Sequence, residues 1–198
     1  MRLVVDCRFV TSRRDDPVSC ATRGLVGALG ERHPLTMLIS DHAQLELLPP
    51  LPWQLLRAVD DPRELLTPLG LNSAGVDVAF SPAPVWGSLG RRYALVMGSA
   101  HPLAAPAGQR PSVGRRLLRP LRRLAARTML RRADAVAAIA QAGQRDAVTG
   151  TRAGQPVVRL EPRDIESIDP EEWSEPAEQL MSLFYALHRE RRSAASAG

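Results

Sequence analysis

The sequence predicts an α/β domain built on a parallel sheet, and two observations carry that prediction. Short, continuous, β-branched apolar runs alternate with amphipathic helical stretches along most of the chain, which is how strands covered by helices on both faces read. The length of 198 residues suits one domain, large enough to bury a core without disulfide staples. Apolar residues make up 44% but aromatics only 4%, so the core must rest on Leu, Val and Ala.

Taken in order, residues 3–7 read as a buried parallel strand. A polar loop over 8–16 ends on Asp16, a good N-cap, followed by Pro17, which suits the first helical position because its missing N–H would be unpaired there. Val18, Ala21, Leu25 and Leu29 follow at helical spacing with Val26 beside them, and His33-Pro34 closes the helix. Residues 35–40 form a second strand, Asp41 caps a short helix ending near Leu48, and Pro49, Pro50 and Pro52 break the chain. A third strand is expected over 53–59 and a helix from Asp61-Pro62. Further strands are expected over 76–80, 93–97, 135–139 and 156–160. A mobile Pro- and Gly-rich loop is expected over 104–114, a long arginine-rich helix after it, and a short helix over 141–148. Asp169 and Glu172 read as a capping box. The final helix then carries Ala177, Leu180, Phe184 and Leu187 on one face. The domain is expected to span 1–163, with a linker and closing helix over 164–192 and a disordered small-residue tail over 193–198.

Cys7 and Cys20 read as buried free thiols of a reducing compartment, since no paired Cys/His spacing suggests a disulfide or a metal site. Only Leu3-Val4-Val5 follows Met1-Arg2 before Asp6, far short of a signal peptide, and no apolar run reaches membrane-spanning length. A cytoplasmic protein is therefore expected. All 26 basic residues are arginine, which excludes P-loop and Schiff-base lysine chemistry.

Several runs, in order, resemble one family. Arg2-Leu3-Val4-Val5-Asp6-Cys7-Arg8-Phe9 resembles the opening strand of family-4-type glycosyltransferases, GT-B enzymes with two Rossmann-like domains. Val76 through Pro82 resembles a strand ending in a Phe-Ser-Pro-like sequence. Leu95 through Leu103 occupies the place of a strand ending in Thr-x-His-Asp-Leu, with His101 and Leu103 matching and Pro102 in place of the Asp. Ala133 through Ala140 resembles the family's Ala-Asp-x-Val-x-x-Val-Ser strand, with Ala140 in place of the Ser. Asp169 through Leu187 resembles the closing helix that crosses back onto the first domain.

The resemblance implies a single Rossmann-like domain of the GT-B N-terminal, acceptor-side type. It implies sugar transfer in envelope or polysaccharide synthesis, with His101 as the catalytic candidate and Arg8, Phe9 and Ser99 as substrate-binding candidates. A sugar nucleotide would be the donor substrate, and no cofactor is expected. Two departures bear on activity. The Gly-rich turn after the first strand is replaced by Arg13-Arg14-Asp15-Asp16-Pro17, whose carboxylates would repel a diphosphate, and the donor-binding domain has no counterpart. The chain is therefore expected to be weak or inactive alone, with a separate donor-domain chain or a second copy of itself as a partner.

Gly24, Gly27 and Gly30 recur every three residues inside a predicted helix, where close packing explains them better than a dinucleotide site. Asp15-Asp16 and Asp60-Asp61 each precede Pro and a helix, so capping explains them better than a metal. The four histidines show no zinc pattern. The strongest charge signal is the stretch 110–132, with nine arginines and no acidic residue. Leu117, Leu121, Leu124 and Thr128 form its apolar stripe. It reads either as a core-packed helix with a solvated basic face or as a peripheral membrane element. In the latter, Arg115, Arg116, Arg119, Arg122, Arg123, Arg127, Arg131 and Arg132 would meet anionic lipid at the inner face of the membrane. A non-catalytic membrane- or partner-binding subunit is the alternative function. Nucleic acid is disfavoured because no aromatic is interleaved to stack on bases.

Overall fold

A computed structural model describes residues 1–13, 16–59, 61–85, 89–98, 127–139 and 151–196. Seven strands form one sheet: β1 Leu3–Asp6, β2 Leu35–Ile39, β3 Trp53–Leu55, β4 Val78–Ser81, β5 Ala94–Gly98, β6 Ala135–Ile139 and β7 Val157–Leu160. All neighbours are parallel, in the order β3-β2-β1-β4-β5-β6-β7. The chain winds outward from β1 to β3, returns to place β4 beside β1, and winds outward again. This is the Rossmann-like order, and the direction of winding switches between β1 and β4.

Alternate strand residues face opposite sides, and each side has its own core. Leu3, Val5, Met37, Ile39, Phe80 and Val96 pack under α1 (Pro17–Arg32) and the terminal helix α3 (Ser174–Ser196). Val4, Leu38, Ala79, Leu95, Met97 and Val136 pack on the other side with Leu71 of α2 (Thr67–Ser73) and with Met129 and Leu130 from the helical turn over 127–132.

Asp16 caps α1 by accepting from Val18 N at 3.1 Å, Pro17 stands at the first helical position, and Val18, Ala21, Leu25, Val26 and Leu29 are all buried. Asp61 caps a 3-10 turn over Pro62–Leu66 in the same way. The glycine stripe of α1 is a packing surface. A Cβ on Gly24 would lie 2.2 Å from the Trp173 indole, one on Gly27 would lie 2.9 Å from Pro170, and one on Gly30 would lie 2.4 Å from Leu51. Trp173 fills the space opened by Gly24, is fully buried, and donates Nε1–H to the Ser167 carbonyl at 2.8 Å. Leu180, Phe184 and Leu187 continue this contact along α3 over the sheet.

Three expectations need correction. Strand β3 covers three residues instead of seven: Leu56 N still reaches Ile39 O at 2.7 Å, but the next carbonyl, Arg57 O, accepts from the Arg8 guanidinium and the chain leaves the edge. The reciprocal capping box lies at Asp41 and Gln44; at Asp169 the side chain accepts from Glu171 N, and Ser167 Oγ, in the place expected of Glu172, accepts from Asp169 N at 3.1 Å. The terminal helix runs on through Ser196 into the expected tail, because Ala194 and Ala195 are strong helix formers.

Candidate functional site at the sheet switch point

In doubly wound sheets, ligands bind outside the carboxyl ends of the strands where the winding reverses. Here that place lies between the ends of β1 and β4. Asp6 and Arg8 reach it from β1, Ser81 from β4, Glu64 from the 3-10 turn before α2, and Tyr93 from the residue before β5. A cavity of about 20 Å³, the size of one water, lies among them.

Arg8 organises the cluster. Its Nε donates to Asp6 Oδ1 at 2.8 Å and one terminal nitrogen donates to Asp6 Oδ2 at 2.7 Å, a two-pronged carboxylate grip. The same nitrogen reaches Glu64 Oε1 at 3.4 Å, and the other terminal nitrogen donates to Arg57 O at 3.0 Å. Arg8 and Glu64 side chains are 1% exposed and Asp6 is 5% exposed. Burial disfavours the charged guanidinium, but the two carboxylates outweigh it and raise its pKa further. Ser81 donates to Ala83 O at 2.7 Å and lies 3.4 Å from Asp6 Oδ2. Burial pushes the Tyr93 phenol up to about 12, so it stays a neutral hydroxyl.

The loop leaving β1 is held from below. The buried Gln44 amide donates to the carbonyls of Cys7, Arg8 and Val10 at 3.2, 3.1 and 2.9 Å while its oxygen accepts from Ser40 N. At the end of β5, a Cβ on Gly98 would lie 1.9 Å from Pro82 O, so only glycine lets the chain leaving β4 pass so close.

The structure brings Arg8 to the switch point but engages its donors within the protein. Phe9 is half-buried and packs against the apolar cluster on the α2 side. Ser99 and His101 lie outside the described residues, as do Arg115, Arg116, Arg119, Arg122 and Arg123, the expected loop over 104–114 and the helix over 141–148. Arg127, Arg131 and Arg132 are exposed, while Met129 and Leu130 between them are buried. Glu64, Gln44 and Tyr93 were not singled out in the sequence. Only Gln44 carries a local mark, as the third residue after the Asp41 cap; Glu64 and Tyr93 act on partners brought near by the fold.

Cys7 and Cys20 are buried, and burial raises both thiol pKa values, so neither is set up as a thiolate nucleophile. Among the described residues no group of His, Cys, Asp and Glu could hold a metal ion, and no helix is long and apolar enough to cross a membrane. A larger dish of about 650 Å³ lies at the opposite end of the sheet, around Arg2, Thr36 and Asp77, away from the switch point. Compared with known proteins, the chain matches no protein-family model and no curated sequence.

Proposed function

We propose that this chain is the acceptor-side half of a GT-B-type glycosyltransferase, acting in sugar transfer for envelope or polysaccharide synthesis and needing a separate donor-binding chain or a second copy. The observation that carries the reading is the terminal helix. It leaves β7, seats Trp173 on the Gly24 position of α1, and crosses back over the sheet. A GT-B closing helix has that path. The switch-point cluster fits the same reading. Its one guanidinium is spent on Asp6 and Glu64, so among the described residues the cluster holds no spare cation for a leaving diphosphate. Electrostatic stabilisation of that leaving group is usually the largest contribution to such catalysis.

The test is a turnover assay with radiolabelled sugar nucleotides, with short oligosaccharides and short-chain lipid phosphates as acceptors. The purified chain alone should neither hydrolyse donor nor transfer sugar, while thermal-shift titration should register an acceptor. Turnover by the chain alone, lost in His101→Ala, would overturn the half-enzyme reading. Absence of any acceptor-dependent shift would overturn the glycosyltransferase reading itself.

A second reading has its own observation. Arg127, Arg131 and Arg132 project into solvent from a turn whose Met129 and Leu130 are buried. A non-catalytic subunit that uses this basic surface against an anionic membrane would look the same at this turn.

A further inference from the structure

Six arginines from three separate stretches of chain meet at the amino-terminal end of β5 and β6. Arg91 and Arg92 precede β5, Arg131 and Arg132 end the helical turn before β6, and Arg191 and Arg192 belong to α3. Asp134 ties the three together. It accepts from Arg91 at 2.5 Å, from Arg191 at 3.1 Å through both oxygens, and from Leu95 N at 2.7 Å. Arg91 also donates to the Arg132 carbonyl at 2.6 Å, and Arg191 to the Arg92 carbonyl at 3.0 Å. Asp134 and Glu190 are the acidic residues of these stretches, and they leave a strong positive excess. The side chains of Arg92, Arg131, Arg132 and Arg192 are exposed.

We propose that this end of the sheet, assembled from three segments, is a docking surface for an anionic lipid bilayer. The proposal rests on the second reading above and goes beyond it: the contact is a folded patch, not the linear basic run. The ends of separate elements present their charges together, which suits a broad phosphate-bearing surface. Tyr93, which adjoins them, is buried, so it offers bases no stacking face beside the guanidiniums. The patch also sets an orientation. It lies at the amino ends of the strands and the switch-point cluster at their carboxyl ends, about 16 Å apart along a five-residue strand. Docking would therefore turn the switch-point end of the sheet away from the lipid.

The experiment is flotation of the full chain with phosphatidylcholine vesicles and with vesicles containing added phosphatidylserine. The variant R92Q/R132Q/R192Q leaves the Asp134 clasp intact. Each arginine near anionic lipid contributes roughly a fivefold gain in partitioning, so this variant should lose roughly a hundredfold while its circular dichroism stays unchanged. A second variant, R115Q/R116Q/R122Q/R123Q, tests the linear run. Loss in the triple variant, whatever the quadruple does, supports the patch. A triple variant that floats like the unaltered chain while the quadruple does not would overturn the patch and leave the membrane reading standing. No recovery of the unaltered chain on anionic vesicles would overturn both. Retention of a short DNA duplex in a gel shift, at concentrations that give no flotation, would overturn the proposal in favour of nucleic acid.

Discussion

Arg8 holds two carboxylates in a place almost without water, so its removal should be among the most damaging single changes in the chain. Arg8→Ala would leave Asp6 and Glu64 buried without their cation, and breaking such a pair from one side costs about 3–5 kcal/mol. Urea unfolding checks this; a loss under 1 kcal/mol would mean that water reaches the cluster freely. Asp134 makes a different prediction. Burial alone would raise its pKa, but the Arg91 hydrogen bond, the Leu95 N–H and the charges of Arg91 and Arg191 outweigh it and lower the value below that of an ordinary aspartate. A carboxyl lowered in the folded state adds stability that is full above the unfolded value, about 3.9, and is lost as the pH falls through the folded value. Stability of the unaltered chain should thus fall on acidification below about pH 4, and Asp134→Asn should be less stable at neutral pH with a shallower acid slope. Denaturation midpoints measured across that range decide it; parallel curves would dismiss the clasp. Asp6 and Arg8 stand two residues apart, so their grip needs no long-range fold, although the sequence alone marks Arg8 only as a substrate-binding candidate. Glu64 could not be read from the sequence, because it reaches Arg8 from 56 residues away, through a fold that local spacing does not encode.

Helix starts were the most legible elements, since Asp before Pro marks them through backbone chemistry alone; Asp16, Asp61 and Asp169 all stand at N-caps, though Asp169 without the reciprocal bond expected from Glu172. Strand ends were less legible because tertiary contacts set them; β3 stops where the Arg8 side chain takes the Arg57 carbonyl. The glycine stripe of α1 could be read as close packing, but not its partners, which arrive from 140 or more residues later at Pro170 and Trp173 and from Leu51. A paired substitution separates packing from helix propensity. Both Gly24 and Gly70 are helical, and Ala is intrinsically better there by about 0.5–1 kcal/mol. Nothing lies within 4 Å of a Cβ at Gly70, so Gly70→Ala should stabilise by about that amount. At Gly24 the new methyl would strike the Trp173 ring, so Gly24→Ala should destabilise by about 1–3 kcal/mol despite the better propensity. If thermal unfolding moved both variants the same way, Trp173 would not be seated on Gly24.

At the scale of the molecule, the apolar face shared by α1 and the sheet is finished only by the last stretch of sequence. Trp173, Leu180 and Phe184 are fully buried and Leu187 nearly so, in one cluster with α1 and the sheet, Leu160 of β7 included. Each side chain of this kind is worth about 1.5–3 kcal/mol on burial, an upper estimate that the cost of ordering the helix reduces. Domains of this size have only about 5–15 kcal/mol of net stability, so losing the set should matter greatly. The helix also ties down distant edges through Arg191 with Asp134 and through Glu178 with Arg32. A chain ending before Asp169 should therefore expose Gly24, Leu25, Leu29 and Phe80 to water, bind a hydrophobic dye, and melt at a clearly lower temperature or precipitate. Phe184→Ala isolates one such contact, beside Phe80 at 6.1 Å between ring centres, and should cost about 3–5 kcal/mol without changing the assembly state. A truncated chain that stayed soluble with an unchanged melting temperature would mean that the helix is not a structural part of this sheet. The crossing-back path that supports a GT-B reading would fall with it.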